Sequence, residues 1–150
     1  MKSWTEEIKI NAPITQVWTL FDGSIENMQK IMPQVVDNQP KSITPDIEGS
    51  TYLQKYREGK RVMEYEVEIL SWKEKEEYKK MKVGFTIAKM FSITAEYELF
   101  RLDDQHTRFR YTATNKPLTW LARLFLLFAN KRVVVQFVER VKNVAESERS

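Results

Sequence analysis

Arg61-Val62-Met63-Glu64-Tyr65-Glu66-Val67-Glu68-Ile69-Leu70 alternates apolar and acidic side chains through most of its length. A period of two is the period of a β-strand, so Met63, Tyr65, Val67 and Ile69 share one face and Glu64, Glu66 and Glu68 the other. A row of carboxylates can suggest acid/base or metal chemistry, but on a half-buried strand it reads first as the solvated outer face. Working outward, Ser50 to Arg57 precedes this strand and is joined to it by the hairpin turn Glu58-Gly59-Lys60. Tyr78 to Phe85 repeats the code with Met81, Val83 and Phe85 inward and Lys80 and Lys82 outward. Phe91 to Arg101 sets Phe91, Ile93, Ala95, Tyr97 and Leu99 inward, against Thr94, Glu96 and Glu98. Thr107 to Asn115 sets Phe109, Tyr111 and Ala113 inward, against Arg108 and Arg110, after a polar turn over Leu102 to His106.

Before this series, Trp4 to Asn11 reads as a strand with Ile8 and Ile10 on one face. Pro13 sits where a helix begins, carrying Ile14, Val17, Trp18 and Phe21. Asp22-Gly23-Ser24 breaks it, and Ser24 caps a second short helix with Ile25, Met28, Ile31 and Met32, which Pro33 ends. After the series, Asn115-Lys116-Pro117 breaks the chain and a long helical segment follows. The expected architecture is α+β: a curved antiparallel sheet closing on a carboxy-terminal helix, with two short helices between the first and second strands. No linker or repeat divides residues 1–150, so a single domain is expected.

Three stretches resemble one superfamily. They are Ile8-Lys9-Ile10-Asn11-Ala12-Pro13-Ile14 with Val17-Trp18 and Phe21, Glu48-Gly49-Ser50-Thr51-Tyr52 leading to Glu58-Gly59-Lys60-Arg61, and Thr107-Arg108-Phe109-Arg110-Tyr111. In order and spacing they are similar to SRPBCC proteins, which include START-like, birch-pollen-allergen-like and polyketide cyclase/dehydrase proteins. The resemblance implies a helix-grip fold, seven antiparallel strands gripping the long terminal helix around a lipophilic cavity. It implies a style of binding rather than one activity.

Composition narrows the chemistry. The chain has 150 residues, 24 Lys and Arg against 21 Asp and Glu, no Cys and a single His. Thiol catalysis and disulfides are excluded, and one His without Cys cannot build a usual zinc site. A serine nucleophile would lack its histidine base, because His106 lies in a turn beside Asp103 and Asp104. Four glycines include no phosphate-cradling loop. No cofactor or metal is expected, and the reading leans away from an enzyme. Outward Lys80, Lys82, Arg108 and Arg110 lie on separate strands without exposed aromatic rows, so nucleic acid is not an expected partner. Met1 to Glu7 lacks the apolar core of a signal peptide, and the apolar run from Leu118 to Ala129 is too short to span a bilayer. A cytoplasmic protein is expected.

The strand phases put five of six tyrosines inward: Tyr52, Tyr56, Tyr65, Tyr97 and Tyr111, with Gln54 among them. Buried hydroxyls need partners, so these either reach water or give a cavity polar handles amid apolar walls. The expected ligand-binding set is Tyr56, Tyr65, Tyr97, Tyr111, Phe91, Val134, Val138 and Val141. The expected ligand is a small hydrophobic or amphipathic molecule such as a lipid, quinone or polyketide. The alternatives are a cyclase/dehydratase-type enzyme using pocket tyrosines, with Glu6 as the one inward carboxylate, and a protein-interaction module using the apolar segment 118–128.

From Val133, the residues Val134, Phe137, Val138, Val141, Val144 and Ala145 form one apolar stripe. Upstream, Leu118 to Phe128 is apolar nearly all round, and Leu121, Phe125 and Phe128 point away from that stripe on a continuous helix. A break near Ala129-Asn130-Lys131 with internal repacking is the first expectation. A homodimer is the second and peripheral membrane contact the third, both through Leu121, Phe125 and Phe128.

Overall fold

Seven strands form one antiparallel sheet in the order β1-β7-β6-β5-β4-β3-β2. In chain order the elements are β1 (Lys2–Ile10), α1 (Ile14–Thr19), α2 (Ile25–Ile31), β2 (Val35–Ser42), β3 (Thr51–Glu58), β4 (Arg61–Glu74), β5 (Tyr78–Ile87), β6 (Phe91–Asp103), β7 (His106–Pro117), α3 (Trp120–Leu126) and α4 (Arg132–Ser147). The computed structural model describes residues 1–87, 89–126 and 131–148, with the side chains of 124–126 excepted. This is the expected helix-grip architecture, and both short helices fall between the first two strands.

The alternation sets the faces as expected. Glu64, Glu66 and Glu68 are exposed, whereas Val67 and Ile69 are buried on the other side of β4. A bulge between Ile69 and Ser71 lets β4 run on to Glu74, beyond the expected end at Leu70. On the outer face Arg110 bonds Glu7 at 2.6 Å and lies 3.6 Å from Glu98, which also accepts from Tyr78. Lys80 and Glu96 form a further cross-strand pair on this face at 3.4 Å.

The pattern alone yields six strands and overlooks β2. Val35-Val36-Asp37-Asn38-Gln39-Pro40-Lys41-Ser42 has no apolar alternation and contains a proline. It pairs because β3 offers a free edge, and Pro40 is tolerated there since an edge strand leaves one side of its backbone unpaired. Register shifts flank Asp37 and Ser42, and Lys41 is held by Glu66 of β4.

The short helices start where the sequence placed them. Pro13 is the cap of α1 rather than its first residue, with its carbonyl accepting from Gln16 and Val17 at 3.1 Å. Ser24 Oγ accepts from the Asn27 N–H at 3.2 Å, and α2 ends before Pro33. Together they press Ile14, Val17, Leu20, Phe21 and Ile31 onto Leu99, Phe109 and Tyr97 of the sheet and onto Phe137, Val138, Val141 and Ala145 of α4. Burying each such side chain contributes roughly 1.5–3 kcal/mol. In the terminal segment α3 covers Trp120–Leu126 and α4 covers Arg132–Ser147. The proposed break at Ala129-Asn130-Lys131 falls partly on residues 127–130, outside the described residues, as do Phe128 and the side chain of Phe125.

Candidate functional site

The inner face of the sheet is divided along its strands. Its phase is set by β1, where Lys2, Trp4, Glu6, Ile8 and Ile10 point inward opposite Asn115, Ala113, Tyr111, Phe109 and Thr107 of β7. At one end Ile10, Leu99, Phe109 and Thr107 are fully covered by α1, α2 and α4. Toward the other end the same phase continues through Ala113, Ile93, Phe91, Phe85, Tyr65 and Met63, and every one of these is only half-buried. These inward residues keep surface that a packed core would have removed. An apolar concave wall of this kind suits a lipophilic ligand.

Aromatic side chains mark the boundary between the two ends. Tyr97 stacks on Tyr111 with ring centres 5.5 Å apart, and Tyr111 meets Phe137 of α4 at 4.6 Å. Tyr65 leans on Phe85 at 5.9 Å. Burial holds the Tyr97 hydroxyl well above the ordinary tyrosine value, with Tyr111 adding to the shift. Burial, and next the neighbouring Tyr56, push Tyr111 up to about 12. Tyr56 and Tyr65 are raised too, by burial first and Glu58 second. Tyr56 therefore acts electrostatically on both Tyr65 and Tyr111 across the interior. None of the four hydroxyls has a hydrogen-bond partner among the described residues. All four stay protonated at neutral pH, which makes them hydrogen-bond donors rather than bases.

The structure places the expected site residues in two groups. Tyr56, Tyr65, Tyr111 and Phe91 are half-buried, on the open part of the inner face or at its border. Tyr97, Val134, Val138 and Val141 are buried at 5%, 4%, 1% and 0% exposure, and Tyr97, Val138 and Val141 belong to the core cluster. The period of α4 finds its core stripe but cannot distinguish a wall that faces a hollow from one that faces side chains.

Two polar groups complete the open half. Glu6, the inward carboxylate, is held by Lys131 at 3.0 Å, and Lys131 immediately precedes α4. This ion pair bridges the sheet edge to the terminal helix. Asn115 was overlooked by sequence reasoning, although the phase of Phe109, Tyr111 and Ala113 carries directly to it. Its Oδ1 is the one sealed side-chain polar atom without a partner among the described residues. His106 is remote from all of this, bonded to Asp103 at 2.7 Å in the exposed β6–β7 turn at the covered end. Among the described residues no three His, Cys, Asp or Glu converge on a metal position. A surface depression of about 340 Å³ lies beside the open end, lined by Met1, Lys116, Pro117 and Arg123.

This architecture recurs in solved proteins of low sequence identity. An aromatase/cyclase, Zhui, from Streptomyces sp. R1128 matches with a TM-score of 0.72 at 14% identity, over 97% of this chain and 93% of that one. Norcoclaurine synthase from Thalictrum flavum matches with a TM-score of 0.67 at 10% identity, over 99% and 88%. The major latex-like protein 151 of Panax ginseng matches with a TM-score of 0.66 at 14% identity, over 97% and 95%. These likenesses establish the fold. No curated protein sequence matches the chain. The family profile that does match, described as polyketide cyclase/dehydrase and lipid transport, spans residues 1–146. By that match over nearly its whole length, the chain belongs to the polyketide cyclase/dehydrase and lipid transport family.

Proposed function

We propose that this chain, as one domain over residues 1–150, binds a small hydrophobic or amphipathic ligand on the open half of its inner sheet face. The observation that carries this reading is the half-exposure of Phe91, Ile93, Phe85 and Tyr65 on the side of the sheet that faces α4. Family membership supports hydrophobic-ligand binding in general, since the family's description covers lipid transport as well as cyclase and dehydrase chemistry. Phe91 and Ile93 form an apolar wall, while the unpartnered hydroxyls of Tyr56, Tyr65 and Tyr111 orient a polar group on the ligand. The cytoplasm is the proposed location, where the absence of cysteine has no cost.

Enzymatic status stands open beside this reading, because norcoclaurine synthase, solved with dopamine and hydroxybenzaldehyde, and the aromatase/cyclase share the fold. General acid/base work needs a group that changes protonation near neutral pH. Tyr97 and Tyr111 are shifted away from neutrality, and Glu6 is committed to Lys131. A carrier therefore fits the inner face better than a proton shuttle.

The test is an apolar fluorescent probe, N-phenyl-1-naphthylamine, titrated into the protein and into Ile93→Trp, alongside native mass spectrometry for a retained ligand. The substitution belongs at Ile93, since Val138 is packed and a filling change there would report on folding. Probe affinity is expected to fall roughly tenfold or more in the variant as the wall is filled. Equal binding by a variant of unchanged melting temperature would remove the ligand from this face.

A further inference from the structure

We infer that the corner formed by α3 and the end of β7 docks on an anionic lipid surface. This does not depend on the ligand reading above, because it stands on a different part of the surface. Trp120 is 75% exposed, Leu118 48% and Leu121 44%, with Met1 at 79% across the adjoining depression. These apolar groups are presented outward by an anchored scaffold. Ala122 is fully buried, Thr119 Oγ1 accepts from its N–H at 3.1 Å, and the Leu118 N–H bonds the Met90 carbonyl at 2.7 Å. A tryptophan held out from a packed corner beside two leucines matches the bilayer interface, where its amphipathic ring is favoured.

Charge selects the kind of surface. Between Asp104 and Glu139 the chain carries six Lys or Arg and no Asp or Glu, and of these Arg110 and Lys131 are paired with Glu7 and Glu6 of β1. Two of the six, Lys116 and Arg123, line the depression with Met1 and Pro117, and neither has a carboxylate partner among the described residues. An apolar tip flanked by these two cations complements phosphate headgroups. A second copy of the chain fits less well. A two-fold contact would bring these cations against their own equivalents, and a stable dimer needs about 20–30 residues a side. No helix of the described residues is long and apolar enough to cross a bilayer, so the contact is peripheral. Pro117, the Cα partner of Phe91, ties this corner to the open half of the inner face. Docking would set that half beside the membrane.

The whole chain should be sedimented with vesicles of phosphatidylcholine alone and of phosphatidylcholine containing phosphatidylglycerol. Binding is expected only with the anionic lipid, to weaken as salt is raised, and to fall about fivefold in Arg123→Gln. Trp120→Ser should lose roughly tenfold or more with little change in melting temperature. In a Trp4→Phe background, Trp120→Phe should still bind, but quenching by bromine-labelled lipid chains, present before the Trp120 change, should vanish; this readout needs no destabilising change. Equal binding to both vesicles, no binding to either, or quenching that persists after Trp120→Phe in that background would overturn the inference. A concentration-dependent mass that Trp120→Ser abolishes would place a second copy on the corner and overturn it equally.

Discussion

The two ends of the inner sheet face are written in the same alternating code and have opposite fates. At the covered end, hydrogen bonds fasten the helices to the sheet and to each other. Thr107 Oγ1 donates to the Ala12 carbonyl at 2.8 Å, Gln16 Nε2 to the Ala145 carbonyl at 3.0 Å and Lys142 Nζ to the Lys9 carbonyl at 3.1 Å. The Asn11 N–H donates to Glu146 at 2.7 Å. Around these ties Ile10, Leu99, Phe109, Val141 and Ala145 are removed from water altogether. At the open end β5 and β6 continue with apolar inward positions, yet Phe91, Ile93 and Phe85 stay half-exposed. Sheet patterning thus builds the wall in both places, and the cover supplied by α1, α2 and α4 decides which part becomes core.

One residue type sampled at each end gives the largest expected contrast. Phe109 is fully buried between Phe21, Tyr111 and Phe137, so Phe109→Ala should cost about 3–5 kcal/mol through lost transfer energy and the cavity left behind. Phe91, half-buried, should cost only about 1 kcal/mol on the same change, and should weaken probe binding that Phe109→Ala leaves alone when folded. Denaturant unfolding and probe titration of both variants measure this. Similar losses of stability at the two sites would erase the distinction between the ends.

The boundary between them can be read by pH. Tyr111 is pushed up to about 12, while an unfolded tyrosine ionises near its ordinary value of 10.0. A folded pKa raised above the unfolded one gives a contribution that is complete below about pH 10 and lost as pH rises toward the folded value, at about 1.4 kcal/mol per pH unit. Stability should therefore decline above about pH 10, and Tyr111→Phe should decline less steeply over that window. Denaturant midpoints collected across alkaline pH give the slope. Parallel slopes would mean that Tyr111 already meets water in the folded protein and belongs to the open half.

Much of this was legible because a period of two carries both strand and face. Val67 and Ile69 buried against exposed Glu64, Glu66 and Glu68 follow from alternation alone, and so does the cap at Ser24. What could not be read depends on neighbours distant in the chain. β2 is a strand only because β3 lends it an edge, against the preference of Pro40. Val138 and Val141 share the α4 stripe with Val134, but the stripe does not say what lies opposite. For Val138 and Val141 the answer is the packed cluster built on α1, α2 and the sheet. Asn115 was readable in phase, yet its missing partner is a fact of packing.

The smallest effect comes from the turn that closes the open end. Lys89, between β5 and β6, has a φ of 57°, in the left-handed region that side chains with a Cβ disfavour, and it is exposed. The Met90 N–H closes the turn onto the Ile87 carbonyl at 2.9 Å, so the backbone there is fixed by hairpin geometry. Lys89→Gly relieves a cost of order 1–2 kcal/mol, and the greater freedom of glycine in the unfolded chain returns part of that. A net gain of about 0.5–1 kcal/mol is expected, because the side chain stands in solvent and its removal opens no cavity. If the two ends are energetically separate, the gain should slow hydrogen exchange at the β5–β6 hairpin more than at Ile10 or Phe109. Amide exchange by nuclear magnetic resonance resolves this. Equal slowing at both ends would show that they open as one cooperative unit, and the division of the inner face would then be one of cover and not of stability.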